Sequence, residues 1–359
     1  WMTRPSRVDC GSCHTYIDWE TGEGHAAGPQ EDDEFCSFCH APSGGDRAVK
    51  DAHMVELASP DLPGLLVTIK EVTNTGPGQN PTVVFSLADK AGPVDPATVE
   101  RLLFVLTGPN EDFDFYAQEN VLAGLTAVSG GWSYTFSAKV PSDAEGSWSV
   151  GYEGRITREG GVRDSAENDV VAIAVTDSSA EPRRVIVDDA KCEACHSNLS
   201  LHGDNRKNAT EYCQTCHRPQ ATDEEVRLEG EDESIHFKYM IHKIHRGAEL
   251  ENLPYIVYGY RSSVHDYSEV HYPGDLRDCE ACHVGDSYTI DAIPEGALPT
   301  HSPAAQIPDM EPITATCLSC HDGDSAASHA LGNTSDLGES CETCHGDGKT
   351  YSVTRVHAR

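Results

Sequence analysis

Short apolar runs rich in β-branched and aromatic residues recur through the first half of the chain: Leu65-Leu66-Val67-Thr68-Ile69, Thr82-Val83-Val84-Phe85-Ser86-Leu87, Leu102-Leu103-Phe104-Val105-Leu106, Trp132-Ser133-Tyr134-Thr135-Phe136, Trp148-Ser149-Val150-Gly151-Tyr152 and Val170-Val171-Ala172-Ile173-Ala174-Val175. Several alternate between apolar and polar positions, which sends successive side chains to opposite faces of a strand. Gly, Pro, Asn and Asp clusters separate the runs. The pattern predicts an antiparallel β-sandwich or split barrel of about seven strands across residues 55–182. Residues 1–54 lack such periodicity, and 22–45 is rich in Gly, Pro, Asp and Glu, so loop is expected there. Beyond 183, Ile235, Tyr239, Ile241 and Ile244 recur at helical spacing and predict a helix over about 234–246. The remainder of 183–359 reads as short helices and irregular chain. The expected architecture is therefore multidomain, with a short leading segment at 1–54, an all-β module at 55–182 and a mostly irregular and α unit at 183–359.

Composition changes this picture in two ways. Hydrophobic residues make up 38% of the chain and aromatics only 7%, so something other than side chains is expected to fill part of the interior. The formal charge of -33, from 59 acidic and 26 basic residues, excludes nucleic acid and anionic membrane surfaces as favoured partners. No run approaches 18 apolar residues, so no transmembrane span is expected. The first residues, Trp1-Met2-Thr3-Arg4, do not open an export signal, and the expectation is that any such signal has been removed.

The cysteines say what fills the interior. All 14 fall in CxxC pairs, each followed at once by histidine: Cys10, Cys13, His14; Cys36, Cys39, His40; Cys192, Cys195, His196; Cys213, Cys216, His217; Cys279, Cys282, His283; Cys317, Cys320, His321; and Cys341, Cys344, His345. Zinc knuckles, redox dithiols and disulfides need no histidine at the fifth position. Attachment of c-type haem does. Two cysteines three apart share one side of a helical turn and bond the porphyrin vinyl groups, and the next histidine reaches the iron as proximal ligand. Seven covalent haem c groups are expected. Two motifs lie in 1–54 and five in 183–359, so these units become a two-haem segment and a pentahaem module.

Of 18 histidines, seven lie in motifs. The other eleven are the economical source of sixth iron ligands, since there are only four methionines and no motif ends in lysine. His25 and His53 are the extra histidines nearest the first two motifs. In the second half His202, His242, His245, His329 and His357 are the chosen distal ligands, with His236, His265, His271 and His301 in reserve. His242 and His245, three apart on the expected helix, project from nearly one face and suit two neighbouring irons. Two imidazoles per iron saturate the metal, which favours conduction over catalysis.

At this point the chain resembles the OmcA/MtrC-type outer-membrane decahaem cytochromes of metal-reducing bacteria. The resemblance is carried by Lys191-Cys192-Glu193-Ala194-Cys195-His196, Leu201-His202-Gly203, Tyr212-Cys213-Gln214-Thr215-Cys216-His217, Met240-Ile241-His242-Lys243-Ile244-His245-Arg246-Gly247, Tyr272-Pro273-Gly274-Asp275-Leu276-Arg277-Asp278-Cys279, Cys341–His345 with Gly346, and Val356-His357. Trp132–Phe136 and Gly151–Arg155 are similar to the family's split-barrel domain. The resemblance implies a β-barrel module leading into a pentahaem module, with His202, His242, His245, His329 and His357 at distal positions. The family's second barrel and second five-haem cluster have no counterpart here. The expected function is that of an exported heptahaem cytochrome, at the outer cell surface or beyond it rather than in the periplasm. It would pass electrons to other cytochromes or to extracellular acceptors such as metal oxides or flavins. Head-to-tail contact between copies would extend the haems into a filament, a cytochrome nanowire. The alternatives are a terminal reductase with one open haem, acting on a metal, nitrogen or sulfur species, and a structural filament whose haems only support the fold. No catalytic constellation accompanies the motifs, so the expectation is a non-enzyme.

Overall fold

The structure, a computed structural model, describes residues 1–44, 47–53, 62–196, 198–207, 209–302 and 309–358. The boundary expected at 54/55 and the terminal Arg359 lie outside them.

Strands β1 (Leu66–Thr73), β2 (Thr82–Asp89), β3 (Gly92–Pro93), β6 (Thr126–Val128) and β7 (Gly131–Thr135) form one antiparallel sheet in the order β1-β2-β7-β6, with β3 paired to β2. Strands β4 (Arg101–Gly108), β5 (Phe115–Asn120), β8 (Ser147–Thr157), β9 (Arg163–Ser165) and β10 (Asp169–Ala174) form the second in the order β10-β8-β4-β5, with β9 on β8. The sheets pack through one core whose members include Val83, Phe85, Leu102, Phe104, Leu106, Val150 and Tyr152. Phe85 of the first sheet meets Phe104 of the second edge-on, ring centres 4.9 Å apart, a favoured aromatic geometry. The module is thus an antiparallel sandwich, with more strands than the expected seven. The additional β3, β5, β6 and β9 are short or not fully buried, and β6 is exposed along its length, so they carry no apolar run to announce them.

Strand β8 positions everything beyond the sandwich. It is buried along nearly all its length, although its sequence alternates. Trp148, Val150 and Tyr152 enter the core. The opposite face, with Ser149, Gly151 and Glu153, is covered by chain from the second half. Gly151 permits this, because a Cβ there would lie 2.8 Å from Cδ2 of the Tyr212 ring. Arg183 completes the seam through a buried ion pair with Asp112 (2.9 Å) and hydrogen bonds donated to the Asn110 and Glu111 carbonyls.

Elsewhere the chain forms short helices: α1 (Arg7–Gly11), α2 (Cys36–Cys39) and α3 (Val49–Ala52) before the sandwich, then α4 (Asp189–Glu193), α5 (Thr210–Cys216), α6 (Phe237–Arg246), α7 (Pro312–Leu318), α8 (Asp324–Gly332), α9 (Glu342–His345) and α10 (Val353–Val356). Two-stranded hairpins intervene, among them β11 (Ser200–Leu201) with β12 (Arg206–Lys207). Side-chain cores here are small: Tyr239, Met310 and Ala315 form one, and Leu250, Tyr255 and Val257 another. The expected helix at 234–246 begins later, at Phe237, because Ser234 is held extended in an antiparallel bridge to Thr222. It stops at Gly247, whose φ is +42° and whose Cβ, if present, would strike the Val270 carbonyl.

Candidate metal centres

Each CxxCH motif closes one helical turn. The histidine backbone N–H donates to the carbonyl of the first cysteine in all seven, at 2.8–3.0 Å: His14 to Cys10, His40 to Cys36, His196 to Cys192, His217 to Cys213, His283 to Cys279, His321 to Cys317 and His345 to Cys341. This turn brings two thiols and one imidazole to a common site. All fourteen cysteines are free. Burial pushes the Cys192 and Cys317 thiols up to about 11 and Cys213 to about 12. Cys10, Cys36, Cys279, Cys282, Cys320 and Cys341 move the same way, with burial first among the causes. Reactive dithiols need the opposite shift, toward thiolate. Among the described residues no group of three or more His, Cys, Asp or Glu could hold a metal ion.

Instead, the histidines come in facing pairs. His14 faces His53 with ring centres 6.1 Å apart, and His25 faces His40 at 6.4 Å. In the second half His196 faces His245 at 6.0 Å, His217 faces His202 at 6.0 Å, and His283 faces His242 at 6.1 Å. His321 faces His357 at 6.0 Å and His345 faces His329 at 6.1 Å. Two metal–imidazole bonds of about 2 Å, plus about 1 Å from each bonding nitrogen to its ring centre, span about 6 Å. Every motif histidine thus has an opposite imidazole at the separation one iron requires. Two donors would leave an iron's coordination sphere incomplete, and a porphyrin would supply the remaining nitrogens. The residues fit haem.

On five of these rings the remaining nitrogen is occupied in the way ligation needs. Nδ1 of His53 lies 2.7 Å from the Val49 carbonyl, His217 2.8 Å from Ile235, His245 2.9 Å from Ile241, His345 2.9 Å from Tyr351 and His357 3.0 Å from Val353. An Nδ1–H donated to a carbonyl fixes the tautomer and leaves the Nε2 lone pair for metal. Desolvation holds His202, His217 and His242 down at about 4 and lowers His196, His283 and His321, keeping the rings in the neutral form that binds metal.

The four reserve histidines are not in such pairs. His236 is buried with Nδ1 2.7 Å from the Thr300 hydroxyl. His301 sits between Asp232 (3.0 Å) and Asp309 (3.6 Å). His265 meets Ser263 through Nε2 and stacks on Tyr267. His271 faces no motif histidine among the described residues.

The pairs are also ordered in space. Lys191, beside the third motif, donates to the Glu280 and His283 carbonyls of the fifth at 2.8 and 2.5 Å. His242, opposite the fifth motif's histidine, has Nδ1 3.0 Å from Ser319 in the sixth. Cys317 of the sixth is raised in part by Cys341 of the seventh. The third, fifth, sixth and seventh motifs therefore adjoin in turn, and the fourth, on α5, lies against the sandwich.

Residues 184–358 match the family model of outer membrane cytochrome MtrC/MtrF-like proteins, domains II/IV. These residues, a little under half of the chain, are similar to the MtrC/MtrF-like outer-membrane cytochromes. The whole fold is similar to the crystal structure of MtrC from Shewanella baltica OS185 (TM-score 0.55, 18% identity, covering 96% of this chain and 61% of that one). It is also similar to the outer membrane decaheme cytochrome OmcA (TM-score 0.55, 22% identity, covering 83% and 49%). The chain thus spans less than two thirds of the length of either. Comparison with curated proteins gives no match. Five of the CxxCH turns, with the imidazoles that face them, lie within the matched residues. No helix of the described residues is long and apolar enough to cross a membrane.

Proposed function

We propose that this chain is an exported cytochrome with seven covalent haem c groups that conducts electrons at or beyond the cell surface. The facing histidine pairs carry the reading, because a motif with an imidazole on both sides of its iron leaves no coordination position for a substrate. The fourteen motif cysteines are the attachment points. His14, His40, His196, His217, His283, His321 and His345 are the proximal ligands, and His53, His25, His245, His202, His242, His357 and His329 are their respective distal partners. The units are 1–54 with two haems, 55–182 without any, and 183–359 with five.

Bound haem supplies a one-electron iron couple. The protein's part is to fix each iron's ligands rigidly, so that a change of oxidation state needs little rearrangement. It also sets the third, fifth, sixth and seventh centres in a continuous row. Other cytochromes, metal oxides and flavins are the proposed exchange partners. Head-to-tail assembly through the two-haem segment is the extended form of the proposal, and light scattering that finds only monomers under native conditions overturns that extension.

Haem quantification together with electron paramagnetic resonance tests the core reading. Seven haems per chain, all low-spin when oxidised, are expected. A high-spin centre in the native protein would favour a reductase with an open iron instead.

A further inference from the structure

The fourth motif differs from the others in what holds its distal histidine. His202 follows β11 in a tight turn that closes onto β12, with positive φ at His202, Gly203 and Asp204 (55°, 70° and 63°). Nearly every grip on that turn comes from the sandwich. Arg155 and Arg163 both donate to the Gly203 carbonyl at 3.2 Å. The Ser165 hydroxyl donates to the Asp204 carbonyl. Asn168 donates to the Asn205 carbonyl at 3.3 Å and accepts the Lys207 N–H at 2.5 Å.

At the centre lies Glu153 of β8, fully buried. One oxygen takes the Arg101 guanidinium at 2.6 Å, and the other takes Arg206 Nε at 2.8 Å and the Tyr212 hydroxyl at 3.1 Å. Arg206 ends the turn bearing His202, and Tyr212 precedes Cys213 on α5. One carboxylate of the haem-free module therefore holds the distal and the proximal side of the same centre.

We infer that the sandwich is the positioning device for the fourth haem: Glu153, with Asn168 at the rim, presents His202 to the iron bound by His217. Glu153 and Asn168 are positioning residues, acting through the turn rather than on the iron. A β module without any haem thereby controls whether one centre of the pentahaem unit stays six-coordinate. Movement of the module against α5 would open that iron alone. A buried carboxylate shared by two guanidiniums suits this task, because loss of the carboxylate leaves Arg206 without its partner and releases the turn.

The inference rests on the seven-haem reading, and the test separates the two. Full-length holoprotein is prepared as parent, Glu153→Gln, Asn168→Ala and Val83→Ala, the last thinning the sandwich core away from the turn. Haem content, spin state and carbon monoxide binding to the reduced protein are measured. Both grip variants should keep seven haems, with one gaining an open, high-spin population. Carbon monoxide should bind that one centre about 10–100-fold more than in the parent, the size expected when an outer support of a metal-bound histidine is lost. Val83→Ala should match the parent. If Glu153→Gln does not fold, Asn168→Ala carries the test. The inference is overturned if the grip variants that fold leave all seven centres unchanged, or if Val83→Ala opens the same centre. Fewer than seven haems in the parent would overturn the underlying reading instead.

Discussion

The sandwich and the haem-bearing half meet the same requirement, an interior free of water, by opposite means. Between Leu65 and Ile173 the two sheets bury a continuous set of aliphatic and aromatic side chains, each contributing about 25 cal/mol per Å² of apolar surface removed from water. Among its described residues the second half offers two clusters of three buried residues each, with a few neighbours, little for that length of chain. On the proposed reading, bound haem would supply the interior that side chains do not. The contrast sets a region with its own side-chain core beside one that, on the proposed reading, packs around its cofactors.

The largest expected effect follows directly. Chain produced without haem attachment should lose protease resistance throughout 183–358 while keeping a resistant fragment spanning β1 to β10, read by limited proteolysis and mass spectrometry. Loss of both regions together would break the comparison, because the sandwich would then need the haems too. Conversely, Phe104→Ala removes a fully buried ring that touches Phe85 and should cost the sandwich about 3–5 kcal/mol. Chemical denaturation should show this as an early transition in β-sheet signal, with the haem spectrum of the third, fifth, sixth and seventh centres following later.

A smaller and more local effect is expected at α6. His242→Ala and His245→Ala should each free one iron, opposite His283 and His196 respectively, and leave the covalent haem in place. Low-spin signal for the other six centres should persist in each variant. Spectra in which both irons open from one substitution would show that the helix, rather than each histidine, is the unit of ligation.

How far these features were legible in the chain follows the same division. The sandwich showed itself where strands carry a buried face, as at Thr82–Leu87 and Leu102–Leu106. It stayed hidden where they do not: Phe115–Asn120 is half-buried and ends in three polar residues, and Arg163–Ser165 has no apolar residue. Motif spacing names the cysteines and motif histidines, because that chemistry is local to five residues. The facing of His321 with His357, or of His196 with His245, depends on how the chain returns across other motifs, and no periodicity encodes that. Glu153 lies in a stretch similar to the family's barrel, yet its role was silent, since a carboxylate in a strand reads as a solvent-facing position until Arg206 and Tyr212 are seen to cover it.

The seam between the two regions offers the subtlest test. Glu211 on α5 has its carboxyl pushed up to about 7, mainly by burial, with Asp169 and Asp189 adding to the shift and Arg183 opposing it. An acid with a raised folded value binds more protons folded than unfolded, so stability falls as pH rises from about 4.5 to about 7 and stays reduced above that. Glu211→Gln remains neutral and should escape the penalty. Its advantage over the parent should be absent near pH 4 and reach about 1 kcal/mol near pH 8, after allowance for the carboxyl's contact with solvent. Denaturation midpoints at the two pH values check this. An advantage that is the same at both would mean that Glu211 ionises freely, and that α5 seats on the sandwich through Tyr212 and Gly151 without a buried acid between the two regions.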